Sequence, residues 1–343
     1  MGQAETFCPA SGIIVIMKVC FIVIAYNAER TIGACIESIL NQKVDKTVIV
    51  VDNSSKDSTR DIVLKYPVKL VLEEVPNRGL ARAKGLASCE LDHFDYLCFV
   101  DSDVELPGGW TQHGIEELTA NEDVVAVGGP GLVRTRAGLP EDMDVLQYGN
   151  LVGPKASRRV NSLPTMDIIY KAKALHGHTF KALWTGEDAE FNFQLRLEGW
   201  HFLWLESLQV THHHPQSAGA ALYKAFLYGA WLPIPYVMHP RLTNPSVLSR
   251  LLYLPVLVVF PIFFPRSEVI ALLWIAWLLS PFLVYGTLAI KHKRAISHAY
   301  LFVLFHSLRQ CAQMVGIYLG WLFQPGRLVV LMRAFTQASR SNS

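Results

Sequence analysis

Three short stretches in the first third of the chain are apolar at nearly every position: 19–25 (VCFIVIA), 48–51 (VIVV) and 96–100 (YLCFV). They are rich in β-branched and aromatic residues. Continuous rather than alternating apolarity suits strands buried on both faces, as in a parallel sheet. Between the first two, residues 29–42 carry Ile32, Cys35, Ile36, Ile39 and Leu40 at helical spacing, which predicts an amphipathic helix. Between the second and third, the pattern predicts a helix over about 58–65, a short strand over 68–73 (VKLVLE) and a second helix over 79–89. Strand alternating with helix predicts a doubly wound α/β sheet. From about 128 to 180 glycine, proline and charged residues break the pattern. A helix around 187–198 and a strand-like stretch (FLWLESLQV, 202–210) follow.

Composition changes the picture at the C-terminal end. Hydrophobic residues make up 51% of the chain and charged ones 17%, unusual for a purely soluble protein, and the apolar excess lies mostly beyond residue 245. Residues 269–290 carry no charge, and at ~1.5 Å per residue they reach across a ~30 Å hydrocarbon core. Residues 251–264 are equally apolar but short, with Pro255 and Pro261; together with 247–249 they reach spanning length. Residues 299–323 are long enough but hold Arg309 near the middle, at ~2.5–3.5 kcal/mol on insertion scales. Two or three membrane spans are therefore expected within 246–343, preceded by an interfacial helix over 219–239 in a linker running from 218 to 245. The basic loop 291–294 (KHKR) belongs on the inner side, which turns the N-terminal domain toward the cytoplasm.

The six cysteines (8, 20, 35, 89, 98 and 311) are scattered without a C-x-x-C pair. Cys20, Cys35 and Cys98 fall in segments read as core, the pattern of reduced thiols rather than a disulfide framework. The apolar run 12–17 is interrupted at Lys18 and followed by no small-residue cleavage site, so a secretory signal is not expected. Met17-Lys18 directly precedes the first strand and reads as a natural start, with 1–16 a disordered extension and 17–217 the main domain. A net charge of +2, with no basic tract interleaved with aromatics, argues against a nucleic-acid partner.

In an open parallel sheet, ligands bind beyond the carboxyl ends of the strands. The residues that follow the three apolar runs are Tyr26-Asn27, Asp52-Asn53-Ser54-Ser55 and Asp101-Ser102-Asp103. All are polar and two groups are acidic. Singly, each has an ordinary explanation as a turn former or helix cap; their convergence on one edge is the stronger signal. A dinucleotide fold requires GxGxxG after the first strand, where this chain has AYNAER, and no GxxxxGK[ST] occurs. The domain is shaped to bind a nucleotide without being a dehydrogenase or a P-loop enzyme.

These motifs, IVIAYNAERTIGACIESILNQ, VIVVDNSSKDST, NRGLARAKGLA and YLCFVDSDVEL in that order and spacing, resemble the family-two inverting glycosyltransferases of GT-A fold. GEDAEFNFQLRLEGWHF at 186–202 resembles that family's acceptor-side segment. The likeness covers about 18 to 215. It implies a Rossmann-like, mostly parallel sheet and a nucleotide-diphosphate sugar donor, expected to be UDP-linked, serving a hexosyl- or N-acetylhexosaminyltransferase. It also implies a divalent cation, Mn2+ or Mg2+, against the diphosphate. A leaving diphosphate develops negative charge, and carboxylates one residue apart can address a hard cation while phosphate oxygens complete its shell. Asp103 is the expected direct ligand, with Asp101 reaching ribose or the metal through water and Ser102 between them.

The resemblance further implies that Asp52 accepts a hydrogen bond from the base, that Ala25, Tyr26 and Asn27 line the base pocket, and that Glu29 is its acidic neighbour. Asn77, Gly79 and Arg82 stand where the family places nucleotide and sugar contacts. Family members often carry Asn at position 84; Lys84 departs from that. Glu187 and Asp188 open a helix whose positive dipole end favours carboxylates. The second acid is the family's general base, which assigns Asp188 the acceptor proton. His212, first of three histidines, is the candidate for an additional metal ligand. No Q-x-x-R-W follows; QLRLEGW (194–200) is not that motif, which weakens a processive synthase. A polyprenyl-phosphate sugar synthase is the alternative, although its anionic acceptor needs no base. A non-catalytic membrane scaffold is the alternative outside enzymes. The expected partners are a nucleotide-sugar, a lipid-linked or glycan acceptor bearing a hydroxyl, and the membrane.

Overall fold

The computed structural model describes residues 17–132 and 157–213, the short strands Thr6–Phe7 and Ile14–Val15, and scattered positions between 223 and 316. The first apolar run forms β3 (Lys18–Ala25), after β1 (Thr6–Phe7) and β2 (Ile14–Val15), which pair antiparallel within the expected N-terminal extension. Helix α1 (Ile32–Leu40) buries Ile32, Cys35, Ile36 and Ile39, the stripe expected from their spacing. Burying each isoleucine contributes roughly 1.5–3 kcal/mol. Strand β4 (Asp45–Asp52), α2 (Thr59–Val63), β5 (Lys69–Leu72), α3 (Arg78–Ala87) and β6 (Tyr96–Asp101) complete the parallel half.

Strands β5, β4, β3 and β6 lie side by side and parallel. The apolar runs of β4, β3 and β6 are buried on both faces, as continuous apolarity predicts, while the edge strand β5 is only partly buried, and the three polar tips emerge on one edge. The sheet continues in a way the pattern of residues did not reveal. After β7 (Val104–Glu105), α4 (Trp110–Ala120), β8 (Val124–Gly128) and β9 (Gly131–Leu132), strand β11 (Asp167–Lys171) inserts antiparallel between β6 and β8. Strands β12 (His201–Leu205) and β10 (Ser157–Val160) then extend the sheet to eight strands in the order β10-β12-β8-β11-β6-β3-β4-β5. The result is an α/β mixed sheet of GT-A type with mostly parallel strands.

A second sheet of three short strands, β7-β13-β9, forms beside the tip of β6, with β13 spanning Val210–His212. The stretch read as one strand over 202–210 is thus two. The helix expected around 187–198 is α5 (Glu187–Leu197).

The described positions within 223–230 are helical. The stretches 251–264, 269–290 and 299–323, expected to span a membrane, lie outside the described residues apart from isolated positions. No helix among the described residues is long and apolar enough to cross a membrane. Cys20, Cys35, Cys89 and Cys98 are free and buried.

Candidate functional site

The site is built on the edge where β3, β4 and β6 end. Ala25 closes β3 inside the core, and its carbonyl accepts from the Asn53 N–H at 2.8 Å. Tyr26 emerges half exposed beyond it. Asn27 adopts φ 48°, a left-handed conformation that asparagine tolerates better than most residues. Its backbone N–H donates to Ser55 Oγ (2.9 Å), and its side-chain oxygen accepts from the Lys56 N–H (2.8 Å). Glu29 accepts from the Ser58 N–H at 3.1 Å and so fixes the entry to α2. The loops after β3 and β4 are thereby locked together by short polar contacts.

Asp52 is fully buried at the end of β4. Arg60 Nε donates to its Oδ2 at 2.6 Å, and the Ser55 N–H approaches both carboxylate oxygens at 3.3 Å. Sequence reasoning singled out Asp52 but missed Arg60, whose place in the first turn of α2 carried no local signal. Asn77 turns out to cap α3: its side chain accepts from the Leu80 N–H at 3.0 Å, and its own N–H donates to Asn53 Oδ1 at 3.1 Å. Gly79 packs against the loop before α5, where an added Cβ would meet the Lys181 carbonyl oxygen at 1.9 Å. Both residues hold α3 in place. Lys84 lies 3.6 Å from Glu73.

Arg82, from the same helix, is the electrostatic hub. Its Nη2 donates to Asp101 Oδ1 at 2.9 Å and its Nη1 donates to Glu187 Oε1. Arg82 and Glu187 are both buried, whereas the Asp101 side chain is 31% exposed. Burial opposes the guanidinium charge, but the carboxylates of Glu187, Asp101 and Asp188 more than offset it, leaving the Arg82 pKa raised. Burial pushes the Glu187 carboxyl up to about 7, against the pull of Arg82 and with a further push from Asp188. Arg78 adds to the pull of Arg82 on Glu187, so two arginines face the three carboxylates. Asp188, half-buried in the first turn of α5, also accepts from the Ala189 N–H at 2.8 Å.

Beneath the triplet, the Asp101 N–H donates to the Met166 carbonyl at 2.9 Å, and the neighbouring Asp167 is wholly buried. Burial drives the Asp167 carboxyl well above its ordinary range, with Asp101 adding to the shift and the Gly129 N–H at 3.4 Å opposing it. Nothing local in the sequence marked Asp167.

Beyond Ser102, which is buried, the chain turns into β7. Antiparallel pairing of β13 with β7 sets His212 opposite Val104, and the His213 N–H donates to the Asp103 carbonyl at 2.8 Å. This brings His212 Nε2 to 3.3 Å from Asp103 Oδ1. His213 pairs instead with Glu105 at 2.6 Å. The strand separates two adjacent histidines: one faces the metal candidate Asp103, the other a surface acid.

A carboxylate and an imidazole from different elements, 3.3 Å apart, fit a divalent cation whose remaining positions are filled by substrate oxygens. Among the described residues, no group of three His, Cys, Asp or Glu gathers to hold an ion alone.

Known proteins resemble this chain over part of its length. Residues 20–152 match the glycosyl transferase family 2 profile. A poly(ribitol-phosphate) beta-glucosyltransferase from Bacillus spizizenii is 35% identical over 94 residues, covering 25% of this chain and 15% of that protein. A poly-beta-1,6-N-acetyl-D-glucosamine synthase from Staphylococcus aureus is 22% identical over 193 residues, covering 52% of this chain and 46% of that one. The chain thus spans less than half the length of these curated relatives. Among solved structures, a mannosyltransferase from Pyrobaculum calidifontis in complex with GDP-Man and Mn2+ aligns with a TM-score of 0.52 at 17% identity, covering 89% of this chain and 87% of that one. That likeness concerns the fold. Residues 20–152 thus resemble the family-2 glycosyl transferase domain, and the fold resembles that of the mannosyltransferase.

Proposed function

We propose that the protein is an inverting glycosyltransferase that moves a sugar from a nucleotide-diphosphate donor, UDP-linked, to a hydroxyl of a lipid-linked or glycan acceptor. The observation that carries this reading is the Asp103–His212 pair, at 3.3 Å, on the strand edge that also bears Asp52 and Asp101. Asp103 and His212 would hold the cation. A mixed oxygen and nitrogen donor set favours Mn2+ over Mg2+, which prefers oxygen alone. Bound there, the cation would neutralise charge on the departing diphosphate.

The chain's own groups divide the remaining work. Arg82 fixes the Asp101 carboxylate toward the donor and holds Glu187 at the start of α5. Asp188 projects from the same turn and takes the acceptor proton as its oxygen attacks the anomeric carbon. A single displacement with one base inverts configuration. Tyr26 and the locked loops beside Asp52 frame the base. We further propose that the apolar stretch 269–290 holds the enzyme at a membrane with the catalytic domain on the cytoplasmic side, close to a lipid-held acceptor.

The test is a panel of UDP-, GDP- and other nucleotide-sugars, assayed for nucleotide release with a membrane lipid extract as acceptor, with and without Mn2+. Mn2+-dependent release from one donor supports the reading. Metal-independent nucleotide binding with no turnover of any donor refutes it.

A further inference from the structure

Helix α3 lies so close to β3 that a Cβ on Gly85 would meet Ile22 Cγ2 at 2.5 Å. The spiral continues past the end of the helix: the Ser88 N–H donates to the Lys84 carbonyl at 3.0 Å and the Cys89 N–H to the Leu86 carbonyl at 3.1 Å. Cys89 therefore stands about one turn beyond Gly85 on the same face. On the strand, Cys20 is two residues from Ile22 and shares its face. The close approach at Gly85 and Ile22 is thus repeated at Cys89 and Cys20. The two thiols lie in one apolar cluster, where each shifts the acidity of the other.

Two further features single out this pair. Cys89 lines a cavity of about 370 Å³, together with Ala83, Leu86, Leu175, His176 and His178. Lys69 Nζ donates to the Ser88 carbonyl at 3.1 Å, which places an ammonium beside Cys89. We propose that Cys20 and Cys89 form an oxidisable pair that closes to a disulfide when a peroxide enters this cavity.

The proton distribution favours that step. The Cys20 thiol lowers the Cys89 pKa, burial opposes it and Lys69 assists, while Cys89 and burial raise that of Cys20. The more acidic sulfur of the pair is thus the one facing the cavity. The Cys89 thiolate attacks the peroxide; an S–O bond forms, the O–O bond breaks, and the released hydroxide leaves as water after taking a proton. Cys20 then attacks the sulfenic sulfur; the S–S bond forms, the S–O bond breaks, and a second water carries off the Cys20 proton. Two thiols and one peroxide give one disulfide and two waters. Cys98 is wholly buried and its thiol is held neutral; Cys35 is buried too, with Asp103 and Asp101 adding to the same effect. Both serve as internal controls.

The test treats the full chain with hydrogen peroxide and maps its peptides without reduction. The expected result is a linked peptide pair containing Cys20 and Cys89, with two alkylatable thiols lost and Cys35 and Cys98 still thiols. In Cys20→Ser the link is absent, and Cys89 is trapped by dimedone as a sulfenic acid. Cys89 advancing to sulfinic acid in the unsubstituted chain while Cys20 stays a thiol overturns the proposal. So does a peroxide dose that oxidises free cysteine yet leaves both residues alkylatable. The unsubstituted chain alone decides between these outcomes, whatever the variant's folding yield.

Discussion

Replacing Arg82 with methionine keeps an apolar stem of similar length and removes the charge that joins Asp101 to Glu187. The cost depends on the charge Glu187 carries. Its folded pKa of about 7 lies above the ~4.3 of an unfolded glutamate, so the native state holds this proton more tightly. The stability this provides is complete below the unfolded value and is lost as pH rises through about 7. At about pH 5.5 Glu187 is protonated with or without Arg82, and Arg82→Met loses mainly the charge-assisted bond to Asp101, roughly 1.5–3 kcal/mol. At about pH 8.5 the unsubstituted protein has an ionised, paired Glu187, whereas the variant leaves a buried, unpaired carboxyl beside Asp188; breaking such a pair costs about 3–5 kcal/mol. Against a total domain stability of ~5–15 kcal/mol, that is a large share. Urea midpoints from pulse proteolysis of the full chain should fall by roughly 2 M at the higher pH, for a slope of about 2 kcal/mol/M, and by clearly less at the lower one. An equal loss at both pH values, or no loss at the higher one, refutes the picture of a buried Glu187 held by Arg82.

Further outcomes follow from the same geometry. His212→Ala should raise the Mn2+ concentration needed for half-maximal turnover about tenfold or more, a loss that even outer-shell partners of metal ligands produce; an unchanged Mn2+ titration removes His212 from the metal site. Asp188→Asn should lower kcat by about 10²–10⁴ while donor binding, followed by calorimetry, stays intact, and full turnover would instead favour an acceptor that is already an anion. Asn77→Ala should cost ~0.5–2 kcal/mol of stability through the lost helix cap, with the donor KM unchanged; a selective rise in KM would restore it as a substrate contact. Gly79→Ala should cost about 1–3 kcal/mol in thermal unfolding, because the Lys181 carbonyl is a backbone atom with little freedom to retreat.

The parallel half of the sheet was legible because apolar runs buried on both faces leave an unbroken signature, and their polar tips mark the ligand edge. Strand β11 was not. DIIYK is short, follows a stretch punctuated by glycine and proline, and owes its place to register with Val100 on one side and Gly128 on the other, which no local pattern encodes. The Asp101 triplet, Asp188 and His212 could be named from motifs. What they touch could not. Arg82 reads as one basic position on a helix, yet its partner Glu187 is 105 residues away. The reading of Asn77 and Gly79 as substrate contacts rested on position in a motif. The structure gives each a local task as well, one as a cap and one as a glycine that clears a carbonyl. Asp167 gave no sign because its altered acidity arises from burial produced by the completed sheet.

The insertion of β11 also sets how this architecture can be divided. The matched family region ends at 152, and β11 comes after it, yet this strand lies in the sheet between two strands from before that point. Glu187, Asp188 and His212 likewise arrive from the later segment. A fragment ending at 152 would leave β6 with one unpaired edge and β8 without either of its neighbours, and would take Glu187 away from Arg82. The segments before and after residue 152 are therefore not exchangeable modules in this chain. A chimera that swaps the later segment must carry β11 and α5 together with the strand edges they were shaped to meet.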